Sequence, residues 1–178
     1  MGTLYVLEAA NLYCGDADTT QSNHLTIQDL KLPEIAENLV GHAAGGAGVE
    51  IEVHTHIGHL EATFTLAGIN THVMKMIGQT ARSSRTFTAY GLVRDRRTGE
   101  ALEAKSIMEG RLGRVNPTAF RRGDLVQHEY SIRGITHYEL TIGDEEIYRW
   151  DFFTNELVIG GVDVNEDLNR ILRIPATA

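Results

Sequence analysis

The chain has 178 residues, of which 42% are hydrophobic and 22% charged, the size and balance of a single globular domain over 1–178 rather than of a disordered polymer. Asp and Glu number 24 against 16 Lys and Arg, a formal charge of −8, and an acidic chain is poorly suited to gripping nucleic acid by displacing counterions. Its one cysteine, Cys14, excludes an internal disulfide and a cysteine-built zinc cluster.

The N-terminus lacks a basic stretch followed by an apolar one, and no apolar run approaches the ~18 residues that cross a bilayer. The expected product is soluble and made in a reducing cytoplasm. Leu30–Val40 reads two ways, because Pro33 can open a helix or sit on an edge strand. Gly41, His42, Ala43, Ala44, Gly45, Gly46, Ala47 and Gly48 form a small-residue stretch expected to be a loop. It is no phosphate cradle, since Val49-Glu50 follows where Gly-Lys-Ser/Thr is needed.

From Val49 the period is two. Val49, Ile51, Val53, Thr55 and Ile57 share one strand face, and Glu50, Glu52, His54 and His56 the other. Leu60, Ala62, Phe64 and Leu66 continue the alternation, with Glu61, Thr63 and Thr65 opposite. The joint Ile57-Gly58-His59 predicts a hairpin between the two runs. Asn70–Ile77 suits a two-turn helix stopped by Gly78. Thr98-Gly99 predicts a hairpin between Thr86–Arg94 and Ala101–Leu112, and Gly143-Asp144 another between Ile135–Ile142 and Glu146–Phe153. Val126–Ile132 is a further alternating strand. Near the end, Asp163 and Glu166 have capping-box spacing, Leu168, Ile171 and Leu172 share a helical face, and Pro175 stops the pattern. The sum is a mainly β domain, a sandwich or barrel, with a short mid-chain helix and a C-terminal helix over 163–173.

The sharpest chemical pattern runs from Gly48 to Gly68 through His54, His56 and Glu61. Two histidines at i and i+2 point to one strand face, and a carboxylate on the hairpin partner completes a cupin-like ligand set for a first-row metal. A cupin needs a second signature with a further histidine, and His128 and His137 lie in no such context. No metal or cofactor is therefore expected. Cys14 reads as a small, partly buried filler rather than a nucleophile, and Ser83-Ser84 lies in no Gly-x-Ser-x-Gly motif. Arg94, Arg96, Arg97 and the pair Arg121-Arg122 sit in turns, either solvated or forming a rim that meets an acidic neighbour. Tyr148, Trp150, Phe152 and Phe153 read as core or interface aromatics. No catalytic residue emerges, and the open strand edges of such a sheet need covering, charging or use in assembly.

The order of several segments resembles the major tail tube proteins of contractile-tailed phages. They are Asn11-Leu12-Tyr13, Leu30-Lys31-Leu32-Pro33, Glu109-Gly110-Arg111-Leu112, Tyr138-Glu139-Leu140-Thr141, Trp150-Asp151-Phe152-Phe153 and Gly161-Val162-Asp163 before the last helix. Gly161 stands where that family has Asn. The resemblance implies a structural, non-enzymatic virion subunit, made in the host bacterial cytoplasm, that forms six-membered rings stacked into a hollow tube. It also implies a surrounding sheath, a tape-measure protein, a baseplate, a tail terminator and DNA as transient, non-specific cargo. R-type tailocins and type VI secretion tubes share this plan. On this reading the polar face of Glu50, Glu52, His54 and His56, with Glu61 and Thr63, is the candidate lining of the bore. The 41–48 loop is the candidate contact between rings.

Overall fold

The computed structural model describes residues 4–15, 21–46, 48–78, 81–119 and 121–175. Eleven strands and two helices follow in order: β1 Tyr5–Cys14, β2 Ile27–Lys31, β3 Glu37–His42, β4 Ile51–Ile57, β5 Ala62–Ala67, α1 Thr71–Met74, β6 Arg85–Asp95, β7 Ala101–Pro117, β8 Gln127–Ile142, β9 Glu145–Asp151, β10 Glu156–Ile159, β11 Val162–Asp163 and α2 Glu166–Leu172. The mainly β class holds. One nine-stranded antiparallel sheet contains every strand except β3 and β4, which pair only with each other.

Within the large sheet, β2-β5-β8-β7-β6-β1 is a continuous path. Its two ends approach where Tyr13 bridges Ser22 and the Asn23 side-chain amide donates to the Leu12 carbonyl at 2.8 Å. The sheet thus curls around one core. Alternation in β5 is the clearest cause: Ala62, Phe64 and Leu66 are fully buried while Thr63 and Thr65 are not. Phe64 stacks on Tyr130 of β8 at 5.0 Å between ring centroids. Leu12, Phe87, Met108, Leu112 and Ile132 fill the rest, with Val73 of α1 against them. Cys14 belongs to this core, and burial pushes its thiol up to about 12, an inert filler as expected.

The hairpins at Thr98-Gly99 and Gly143-Asp144 form as read, joining β6 to β7 and β8 to β9. The strands read as Val126–Ile132 and Ile135–Ile142 are one, β8, which bends at Gly134 with φ +58. Facing it, Gly110 lies at a register shift of β7, and a Cβ there would meet the Arg133 carbonyl at 3.1 Å. This bend lets the first half of β8 pair with β5 and the second half with β9.

Four expectations are corrected. β4 and β5 do not form a hairpin: β4 pairs β3, and β5 runs between β2 and β8. Strict alternation identifies strands but carries no information about which strand they pair with. Leu30–Val40 is neither one helix nor one strand, since β2 ends at Lys31, Pro33 sits in a connection and β3 begins at Glu37. The mid-chain helix is a single turn, capped by the Asn70 side chain on the His72 and Val73 amides, and Ile77 already bridges Leu112. Finally, α2 begins at Glu166 with Asn165 as N-cap, not at Asp163. Asp163 lies in β11, and its carboxylate accepts from the Asn165 amide at 2.9 Å and the Leu157 amide at 3.4 Å, closing the preceding turn instead.

Candidate assembly surfaces

The β3–β4 hairpin is an arm. Gly41 and His42 belong to β3, so the loop is shorter than the 41–48 expected and its tip begins at Ala43; Ala47 lies outside the described residues. Among the described residues its two strands pair only with each other. No residue of β3 or β4 is buried, and Val40, Val49, Ile51 and Val53 all lie exposed, Val49 at 77%. Val49, Ile51 and Val53 of the predicted apolar face meet no core, and a register shift opposite His54 and His56 interrupts the alternation before Ile57. A two-stranded ribbon without a covered face is marginal in water. Close pairing of backbone and side chain shapes its outer part, where the Glu50 carboxylate lies across Gly41 in the space a Cβ would fill.

The six polar residues read as one face are divided by this topology. Glu50 and Glu52 are on the outer part of the arm, while Glu61 stands before β5 and Thr63 within it. His56, Glu61 and Thr63 line one polar cleft at the base of the arm, together with Lys31 and Glu34. The cupin-like trio has separate partners. His54 Nδ1 stands 3.8 Å from Glu37 Oε2, His56 Nε2 is 3.1 Å from the Asn38 amide nitrogen, and Glu61 Oε1 is held by Arg133 Nη2 at 2.9 Å. Among the described residues no three His, Cys, Asp or Glu side chains are close enough to hold a metal.

A second surface was invisible to sequence reasoning. The C-terminal lobe, β10, β11 and α2, hangs on the second half of β8 through β9. α2 buries no residue: Leu168, Ile171 and Leu172 are exposed, Ile171 at 68%. Amides hold it in place, with Asn155 donating to Asn169 Oδ1 at 2.8 Å and Asn165 and Asn169 donating to the Asn155 carbonyl at 3.0 and 3.1 Å. Between this lobe, the arm base and β8–β9 lies an apolar hollow of about 590 Å³ lined by Ile35, Leu60, Ile135, Tyr148, Trp150 and Leu168. The aromatic set divides accordingly: Tyr148 and Trp150 pack on the core, whereas Phe152 and Phe153 are each 63% exposed. Asp151 fixes their turn. Its Oδ1 accepts from the Phe153 and Thr154 amides at 2.9 and 3.0 Å, and its Oδ2 faces His137 Nδ1 at 3.1 Å. Burial works to raise the Asp151 carboxyl, but the hydrogen bonds from Thr154, His137 and Phe153 outweigh it and hold it below the usual carboxylate range.

The arginines in turns also sort themselves. Arg94 pairs with Glu8 at 2.9 Å. Arg121 and Arg122 lie exposed in the loop joining β7 to β8, beside exposed Leu125, and have no ion pair among the described residues. The described residues thus expose three distinct surfaces, an acidic arm, a partly apolar C-terminal lobe and a basic loop.

Two solved structures share this fold. A chain of the sheath–tube complex of an extracellular contractile injection system, PVC, in the extended state superposes with a TM-score of 0.54 at 9% identity, over 75% of this chain and 88% of that one. A chain of the sheath/tube terminator structure of the same system gives a TM-score of 0.55 at 9% identity, over 75% of this chain and 94% of that one. No curated protein sequence matches significantly. The family model for phage tail tube protein FII matches residues 6–172, nearly the whole chain. A curled β body with unburied arm and lobe is what a subunit completed by its neighbours should look like, and the chain belongs to the phage tail tube protein FII family.

Proposed function

We propose that this protein is the repeating subunit of the inner tube of a contractile phage tail, six copies closing each ring and the rings stacking around a bore through which the genome leaves. The observation that carries this is the family match over residues 6–172, joined to an arm whose apolar residues lie exposed among the described residues. Contacts between different patches on successive copies close into a ring when they rotate and extend into a filament when they translate. The chain supplies distinct surfaces for both.

Six copies at −8 each put −48 of formal charge on a ring. Where acidic groups face the bore they repel a polyanion within about 8 Å at physiological salt, so DNA slides without adhering. Glu61 and Thr63, with His56 at the arm base, are the groups assigned to that wall, and the arm tip 43–50 is assigned to the next ring. The partners are further copies of the chain, then sheath, baseplate, tape-measure protein and tail terminator, with DNA only in transit. The subunit works in the virion after synthesis in the host cytoplasm. The fold shared with chains of an extracellular injection system favours a tailocin-like or secretion-system tube as the second reading, which differs in cargo and not in construction.

Electron microscopy of the concentrated protein tests the assignment, alone and produced with the sheath and baseplate proteins of its own gene cluster. Hollow rings or tubes are expected. Deleting Ala43–Ala47 should abolish tube growth and leave a folded subunit; unaltered tubes would remove the loop from the ring contact. A discrete small oligomer with one tightly held metal per chain would overturn the structural role.

A further inference from the structure

Charge along this chain is segregated. Residues 32–74, which contain the whole arm, hold five glutamates and no lysine, arginine or aspartate. Residues 111–133, the outer part of the β7–β8 hairpin and its loop, hold five arginines against Asp124 and Glu129. Some of this charge is answered inside the subunit: Arg133 pairs with Glu61, and Arg114 stands 3.6 Å from Glu129. Glu50 and Glu52 on the arm, and Arg111, Arg121, Arg122 and Asp124 in the β7–β8 hairpin and its loop, have no ion pair among the described residues, so the loop keeps a net positive charge.

The fold sets these two surfaces at opposite ends of β5. The arm joins the body through residues 58–61, just before Ala62, which pairs with Ile132 in the middle of β8. At the other end Ala67 pairs with Gln127, where β8 emerges from the arginine loop. Six strand residues put the two attachment points roughly 20 Å apart. Each surface also exposes apolar groups, Val49, Ile51 and Val53 on the face of the arm opposite Glu50 and Glu52, and Leu125 in the loop. Complementary surfaces at opposite ends of one subunit are the requirement for open head-to-tail stacking.

We infer that the arm of each copy docks on the β7–β8 loop of a copy in the next ring, with Glu50 and Glu52 against Arg121 and Arg122. This names the receptor for the arm and rests on the tube reading above. It makes ring stacking salt-dependent, since opposite charges speed encounter and fix register most strongly at low ionic strength.

The test uses four forms of the full chain: wild type, Glu50→Arg with Glu52→Arg, Arg121→Glu with Arg122→Glu, and all four changes together. All four positions are solvent-exposed and the variants should fold, which circular dichroism and thermal unfolding verify first. Ring and tube formation are then followed by electron microscopy and sedimentation, in the presence of the sheath and baseplate proteins of the same gene cluster. Each two-residue variant is expected to form rings but to elongate at least about tenfold more slowly than wild type, because like charges now face each other. The four-residue variant should recover growth, and an equal mixture of rings of the two defective variants should recover it by alternation. Wild-type elongation by either two-residue variant, or no recovery in the four-residue variant, overturns the pairing while the tube itself stands. Absence of rings and tubes from the wild-type chain under these conditions overturns the tube reading instead.

Discussion

The body and the arm of this subunit are made from similar strands with opposite fates. In β5 the alternating residues Ala62, Phe64 and Leu66 have no exposed surface, while in β4 the equally regular Ile51, Val53 and Ile57 end exposed or half-buried. The two strands are separated by only four residues. Periodicity therefore reports that a face will be covered, and the identity of the cover is a separate matter. For β5 the cover is the chain itself; β4 has none among the described residues, and the tube reading assigns it a neighbour.

The largest test of that contrast is in the body. Phe64→Ala removes a fully buried ring from its stack on Tyr130 and should cost about 3–5 kcal/mol in denaturant unfolding of the isolated subunit. A change below 1 kcal/mol would mean the curled sheet is not closed around this core.

The C-terminal lobe stands between the two extremes: Val158 of β10 is buried, while α2 buries nothing and is held by polar bonds. Asp151→Asn weakens the bonds from Phe153, Thr154 and His137 and should cost about 1 kcal/mol at neutral pH. The pH dependence has a definite sign. A carboxyl held below its unfolded value stabilises the fold above the ordinary carboxylate range near pH 4, and that contribution is lost as the pH falls through the folded value. Wild type and variant should then converge in acid unfolding below about pH 4. A gap that persists there would assign the lobe's stability to other groups.

The smallest effect on the subunit belongs to the arm. Val53→Ser alters an exposed position and should change unfolding of the isolated subunit by less than about 0.5 kcal/mol. Its consequence should appear in assembly, as fewer and shorter tubes by electron microscopy. A large loss of subunit stability would show that the arm is already covered within the chain.

Much of this was legible in the residues. Alternation marked β4, β5 and β8, glycines at 99 and 143 marked two hairpin turns, and the single cysteine and acidic balance bounded the chemistry. Local steric and hydrogen-bonding preferences set such features, and these act within a few residues. Pairing was not legible. That β5 pairs with β2 and β8 rather than β4, and that β8 bends at Gly134 to serve two neighbours, depend on contacts between separate segments, whereas Asp163 closes a local turn with Leu157 and Asn165 that the capping-box spacing did not reveal. The cupin-like spacing of His54, His56 and Glu61 shows the consequence: it required β4 and β5 to lie side by side, and the fold gives each residue a different partner. Sequence by itself determined β4 to β9, two hairpin turns, the charge and the family resemblance. Tertiary structure alone decided which apolar faces stay open, because a face is buried only when some other segment, of this chain or the next, comes to lie on it.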